Sequence, residues 1–268
     1  MMFMRSFRKY LAICVVGLTC CSLAGLAQAQ GELSYTQYRN LSWAANRINH
    51  FAQFEPIHGE TGMLFAIGER LGTVLVIKMD GQGASQVWKS NQLSGIPEEV
   101  ITADMDGDQL EDTILCRTDT GTAYAWSMDG YTLLWESLPG EYRTISCFTT
   151  ANVDDDEANE IVMLADDRIV YVDGASWNKQ FSSIDEYKAT QMRCGDVDGD
   201  GRVEIVLNSG QVLDSASGNV EWADESFFGK IELLDIDGDG NPEILTENPG
   251  GGPLKVYDVE FQGEVRFQ

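Results

Sequence analysis

Short apolar runs of strand length alternate with polar turns along most of this chain, and they return in the same order four times. Each unit opens on an apolar-rich segment, at 99–103, 144–148, 190–194 and 230–234. An acidic loop follows, then a second run at 113–116, 161–164, 205–207 and 244–246. A turn leads to a third run at 122–126, 168–172, 211–213 and 254–257. In three units an Asp- or Gly-rich turn then leads to a fourth segment carrying an aromatic: Trp135, Phe181 or Trp222. The runs are too short for helices, are rich in β-branched residues and are bounded by turn residues, which predicts strands.

Four short strands per unit, repeated in tandem, is the pattern of a β-propeller blade. A fifth unit precedes the four with its frame intact. Met79-Asp80-Gly81 matches Met128-Asp129-Gly130, and Gly72-Thr73 matches Gly121-Thr122, at the same offset of 49 residues. The fold expected is therefore all-β, a propeller of about five four-stranded blades over residues 48–268. Residues 30–47 precede it, with Tyr35, Tyr38, Leu41, Ala45 and Ile48 at roughly helical spacing, and read as a short helix or a strand that closes the ring.

The first 29 residues read differently. Arg5, Arg8 and Lys9 precede an apolar stretch from Leu11 to Leu26, and Ala27-Gln28-Ala29 is a small-x-small cleavage site. This is the composition of a secretory signal peptide, which predicts an exported protein, periplasmic or at the cell surface. A lipoprotein anchor at Cys20 or Cys21 fits the preceding Gly17-Leu18-Thr19 poorly. No later stretch is long and apolar enough for a transmembrane segment in the mature chain. Three cysteines remain there, Cys116, Cys147 and Cys194. They read as buried strand residues, with a Cys116–Cys147 bridge as the alternative in an exported chain.

Charge sharpens the picture. The whole chain carries a net −25, and the mature part holds 15 basic against 43 acidic residues. Such a surface repels phosphate backbones, so nucleic acid is not an expected partner. It attracts divalent cations, and the acidic loops are placed to receive them. They are Asp104-Met-Asp106-Gly-Asp108-Gln-Leu-Glu-Asp112, Asn152-Val-Asp154-Asp-Asp156-Glu-Ala-Asn-Glu160, Asp196-Val-Asp198-Gly-Asp200-Gly-Arg-Val-Glu204 and Asp235-Ile-Asp237-Gly-Asp239-Gly-Asn-Pro-Glu243. Their starts lie 48, 44 and 39 residues apart.

Each loop offers side-chain oxygens at positions 1, 3 and 5 and a carboxylate at position 9. Ca²⁺ takes six to eight oxygen ligands with loose geometry, so a tight loop with oxygens at alternate positions suits it. A carbonyl near position 7 (Leu110, Ala158, Arg202 or Asn241) adds another ligand, and the position-9 acid can bind through both oxygens. An EF-hand needs Glu at position 12 and flanking helices. Position 12 here is Leu115, Met163, Leu207 or Thr246, each inside an expected strand. That excludes an EF-hand, and with the long repeat spacing it argues against dockerin modules.

The pattern Asp-x-Asp-Gly-Asp-Gly-x-x-Asp/Glu followed by Ile-Val or Ile-Leu resembles the FG-GAP and VCBS repeats of calcium-binding β-propellers. Asp196–Val206 and Asp235–Leu245 match it closely. Asp104–Ile114 has Gln109 at position 6, and the second loop departs most, with Asn152, Asp155 and Glu157 at positions 1, 4 and 6. The resemblance implies Ca²⁺ as a structural cofactor of the blades. In the degenerate first unit Ile57, Gly59 and Met63 occupy loop positions without side-chain oxygens, so that blade is not expected to bind metal. The segment from Val212 to Trp222 is also similar to the repeats of pyrroloquinoline-quinone-type propellers, which supports the fold alone.

Signs of catalysis are sparse. The two histidines, His50 and His58, sit in no recognisable catalytic context, and no zinc-ligand or phosphate-loop spacing occurs. The reading is a secreted protein- or glycan-interaction module, whose aromatics such as Trp43, Trp88 and Trp177 are candidate contacts beside a role in blade packing. The alternative is a propeller-based polysaccharide lyase or hydrolase using paired carboxylates.

Overall fold

A computed structural model describes residues 48–55, 63–80, 83–154, 156–224, 229–247, 252 and 254–265. The segments read above as a signal peptide and as an N-terminal helix or strand lie outside the described residues, as does most of the degenerate loop between 55 and 63.

Twenty strands form five four-stranded sheets, and no helix occurs among the described residues. The first sheet holds β1 (Ile48–Glu55), β2 (Met63–Glu69), β3 (Thr73–Asp80) and β4 (Gly83–Lys89). The second holds β5 (Pro97–Ala103), β6 (Thr113–Thr118), β7 (Ala123–Ser127) and β8 (Leu133–Glu136). The third holds β9 (Ile145–Ala151), β10 (Glu160–Ala165), β11 (Arg168–Val172) and β12 (Lys179–Ser182). The fourth holds β13 (Met192–Gly195), β14 (Glu204–Leu207), β15 (Gln211–Asp214) and β16 (Val220–Ala223). The fifth holds β17 (Ile231–Leu234), β18 (Glu243–Thr246), β19 (Lys255–Asp258) and the two-residue β20 (Gly263–Glu264).

Each sheet is a meander in which sequence neighbours pair. The acidic loops therefore join first to second strands, at the same end of the sheet as the turns between third and fourth strands. The fourth strand of the fifth sheet, absent from the expected pattern, follows a turn at 259–262. The position-9 glutamates Glu160, Glu204 and Glu243 begin strands rather than ending loops.

The chain divides into two compact units, Met1–Ile101 and Thr102–Gln268, with the boundary inside β5. In the first unit, β2 and β3 pair in register from Met63↔Met79 to Glu69↔Thr73. Leu64, Ala66, Ile67, Val74, Leu75 and Val76 are buried there. Buried Glu69 ties three strands through one oxygen, which accepts from Thr73 Oγ1 and, at 2.9 Å, from Lys89 Nζ.

In the second unit, the middle strands are more buried than the outer ones. All six residues of β10 and all four of β14 are buried, whereas Lys179, Gln180 and Ser182 of β12 and Val220, Glu221 and Ala223 of β16 are exposed. β14 shows why such a strand reads as a continuous apolar run instead of an alternating one: Ile205 and Leu207 meet the third sheet and Val206 the fifth. The first strands β9, β13 and β17 lie against one another in order. Val162, Leu164, Met192, Ile205 and Leu207 fill the space between the third and fourth sheets. Val206, Val212, Trp222, Ile244 and Tyr257 fill the space between the fourth and fifth. Among the described residues Cys116, Cys147 and Cys194 form no disulfide, so the alternative Cys116–Cys147 bridge is not formed. Cys194 is half-buried against the core of the third and fourth sheets, and burial and the neighbouring Cys147 raise its thiol to about 12, which suits an inert residue.

Candidate metal centre

The acidic loops are built from one hydrogen-bond scheme. The position-3 acid accepts the position-5 amide: Asp106 from Asp108, Asp154 from Asp156, Asp198 from Asp200 and Asp237 from Asp239. The position-5 acid then accepts the position-7 amide at 2.7–2.8 Å in all four loops. Short acidic side chains suit these local turns because they reach the backbone two residues on.

In three loops the position-1 aspartate clasps two amides, those of positions 4 and 6. Asp104 takes Gly107 and Gln109, Asp196 takes Gly199 and Gly201, and Asp235 takes Gly238 and Gly240. Positions 4 and 6 have positive φ in these loops, between 70° and 103°. Glycine fills five of the six places, and Gln109 carries a side chain where one is disfavoured. The second loop replaces this clasp: Asn152 Nδ2 donates to the Asp156 carbonyl at 2.6 Å.

The position-9 glutamates do something their spacing did not announce. Oε2 of Glu160, Glu204 and Glu243 accepts the position-2 amide of Val153, Val197 and Ile236 at 2.7–2.8 Å. One carboxylate oxygen is thus engaged by the loop itself. In the first loop the shorter Asp112 instead accepts from Thr113 Oγ1 at 3.3 Å.

These bonds turn acidic side chains toward common points. Asp104, Asp106 and Asp108 form one group, and Asp154, Asp156 and Glu160 a second. Asp196, Asp198 and Glu204 form a third, and Asp235, Asp237 and Asp239 a fourth. Within each group one ligand atom per residue lies within 4.8 Å of the others. Two oxygens on one Ca²⁺ at about 2.4 Å can be at most about 4.8 Å apart, so the donor sets match that ion in kind and spacing. Asp112, Asp200 and Glu243, also expected as ligands, stand outside these groups.

Glu160 carries the sharpest signal. It is fully buried, and its Oε1 has no hydrogen-bond partner while Asp154 and Asp156 stand beside it. Burial, opposed by the Val153 amide, raises its carboxyl to about 7. The same cause raises Glu204 to about 8. Asp112 is also raised, by burial and by Asp106. Each of these acids is in surroundings that disfavour its charge in the absence of a cation.

The loops of the second unit touch in pairs. Asn159 of the second loop donates through Nδ2 to the Asp104 carbonyl at 2.7 Å and through its backbone amide to Met105 at 3.1 Å. Gly107 fits only because it lacks a side chain, since a Cβ there would come within 1.9 Å of the Glu157 carbonyl oxygen. Asn241 of the fourth loop closes on Gly199 of the third in the same way, with Nδ2 2.6 Å from the Cβ position.

Among the aromatics proposed as contacts, Trp43 lies outside the described residues and Trp88 sits in β4 opposite Val76. Trp177 lies in the turn before β12 at φ 57°, stacked on Trp135. Pairing of Trp135 with Trp177 was not legible in sequence, because it joins one sheet to the next.

No protein-family model matches the chain, and no curated protein matches it. Among solved structures it is similar to Sqt1 of Saccharomyces cerevisiae, with a TM-score of 0.56 at 14% identity over 74% of this chain and 55% of that one. It is also similar to BamB from Moraxella catarrhalis, with a TM-score of 0.47 at 14% identity over 80% of this chain and 62% of that one. The chain thus spans between half and two thirds of the length of these proteins. Five four-stranded antiparallel sheets and the likeness to Sqt1 make this an all-β protein of the β-propeller class. No helix among the described residues is long and apolar enough to cross a membrane.

Proposed function

We propose that this chain is an exported β-propeller whose blades are stabilised by Ca²⁺ and whose surface serves as an interaction module for a protein or glycan. The observation that carries the metal reading is Glu160, whose Oε1 is buried and unpartnered and whose carboxylate is grouped with those of Asp154 and Asp156. An isolated buried carboxylate is costly, and a cation converts that cost into a bond. Asp154, Asp156 and Glu160 would hold one ion, and the groups beginning at Asp104, Asp196 and Asp235 would hold others. The ion's contribution is charge neutralisation and loop rigidity, with no chemistry on a substrate. Support for the interaction reading is the propeller class itself, together with a sequence that offers many loops and few catalytic groups.

Linkage sets the expected size. At ~1 mM Ca²⁺ and a dissociation constant of ~0.1 mM, each site contributes about 1.4 kcal/mol. Thermal unfolding in calcium and in chelator tests this. The melting temperature should rise by several degrees in calcium, and magnesium should substitute poorly because it prefers to keep its waters. Superimposable melts in calcium and chelator would remove the metal from the account.

A further inference from the structure

The turns before β12 and β16 are one turn built twice. In each, an aspartate side chain accepts the amide three residues on, Ser176 to Asp173 at 2.7 Å and Ser217 to Asp214 at 2.5 Å. The aspartate carbonyl accepts the fifth residue's amide at 2.8 Å, from Trp177 and from Gly218. The aspartate amide then donates to the sixth residue's carbonyl at 3.0 Å, that of Asn178 and of Asn219. The fifth residue is left-handed in both, at φ 70° for Gly218 and φ 57° for Trp177. Glycine adopts this conformation freely and a bulky residue does not. The chain therefore keeps a tryptophan where its own neighbouring repeat shows that glycine completes the turn.

What each residue meets differs. A Cβ on Gly218 would come 3.0 Å from Phe181 Cζ, so that ring of the preceding sheet lies over bare backbone. One sheet earlier, Trp177 stacks on Trp135 of β8, with centroids 6.3 Å apart and planes 21° apart, and both rings are half-buried. Beside them Leu133 and Leu134 are 52% and 40% exposed. β8 ends its sheet, so among the described residues one of its edges has no strand beside it. At the matching places β12 carries Lys179 and Gln180, and β16 carries Val220 and Glu221, so each has at least one polar residue where β8 has two leucines. β8 reads Leu-Leu-Trp before its first charge at Glu136, and a bare apolar edge of this kind is a template for another strand.

We propose that the free edge of β8, with the Trp135–Trp177 stack and the two leucines, docks an extended, basic segment of a partner protein by strand addition. This rests on the interaction-module reading and names the site and the partner's chemistry. A peptide is favoured over a glycan because the edge offers a main-chain ladder, while the leucines offer no hydrogen bonds to sugar hydroxyls. Positive charge is favoured because Glu136 is exposed on the strand, Asp173 opens the neighbouring turn, and the chain carries a net −25.

The probe is a synthetic peptide of about nine residues alternating leucine and lysine, followed by tryptophan fluorescence and calorimetry in calcium. Trp177→Gly should keep or raise the unfolding midpoint and weaken the peptide at least tenfold, as for a central aromatic contact. Leu134→Lys, at an exposed residue, should leave the midpoint unchanged and weaken binding by a similar factor. A copy of the peptide N-methylated at alternate residues should also bind at least tenfold more weakly. Affinity unchanged in Leu134→Lys overturns the proposal, as does equal binding of the methylated copy or Trp177-dependent binding of oligosaccharides in place of the peptide. Peptide binding that survives both substitutions removes this site and leaves the module reading standing. The calcium dependence of the melt is independent of all these outcomes.

Discussion

The loops at 196–204 and 152–160 gather three carboxylates each by different means. In the first, Asp196 clasps the amides of Gly199 and Gly201, and two left-handed glycines make room for the turn. In the second an amide stands at position 1 and donates to a carbonyl instead. Both retain the glutamate that reaches back to the position-2 amide, at 2.8 Å in each. The comparison teaches that the position-9 to position-2 clasp holds the strand against its loop, while the position-1 acid shapes the tip. A departure at position 1 therefore leaves the donor group standing.

Breaking the shared clasp should have the largest effect. Glu204→Ala strands the amide of Val197, which is 2% exposed, and should cost about 2–3 kcal/mol in urea unfolding. A cost below that of a surface substitution would show the clasp to be incidental. Removing the position-1 residue should separate the loops. Asp196→Ala loses two amide bonds and should cost about 1–2 kcal/mol, and Asn152→Ala loses one and should cost roughly half as much. Equal costs would erase the distinction drawn here.

Titration offers a third probe of the same pair. The carboxyls of Glu160 and Glu204 are raised by burial to about 7 and about 8, above the ordinary value of 4.5. In chelator the folded chain then holds protons that the unfolded chain has released. Stability from these groups is fully present below about pH 4.5 and falls as pH rises to about 8. Calcium should flatten that fall by replacing the protons, and Glu160→Gln with Glu204→Gln should flatten it without calcium. The smallest effect is expected at the loop tip. Gln109 sits at φ 70° where the third and fourth loops have glycine, so Gln109→Gly should add about 0.5–1 kcal/mol.

The strands were legible because their apolar runs are short, bounded by turns and repeated in register. Most bounds agree to within a residue or two, as for 168–172, which is β11 itself. β20 escaped because two residues carry no pattern. The oxygens at positions 1, 3 and 5 were legible as a spacing, since each bond in those turns is local. The glutamate clasp was not, although its seven-residue separation from position 2 recurs three times. It depends on the first and second strands pairing, as in Gly195↔Glu204 and Leu234↔Glu243. The Trp135–Trp177 stack lay further out of reach because it joins residues of different sheets, and only the twin turn at Asp214 marks Trp177 as unusual.

Whether the oxygen that Glu160 buries without a partner belongs to a cation can be tested directly. Native mass spectrometry of the chelator-stripped chain, titrated with calcium, counts bound ions directly. The wild-type chain should gain calcium, and Glu160→Gln should hold one ion fewer at the same free concentration. A wild-type mass that calcium leaves unchanged, or an equal number of ions in Glu160→Gln, would contradict the account.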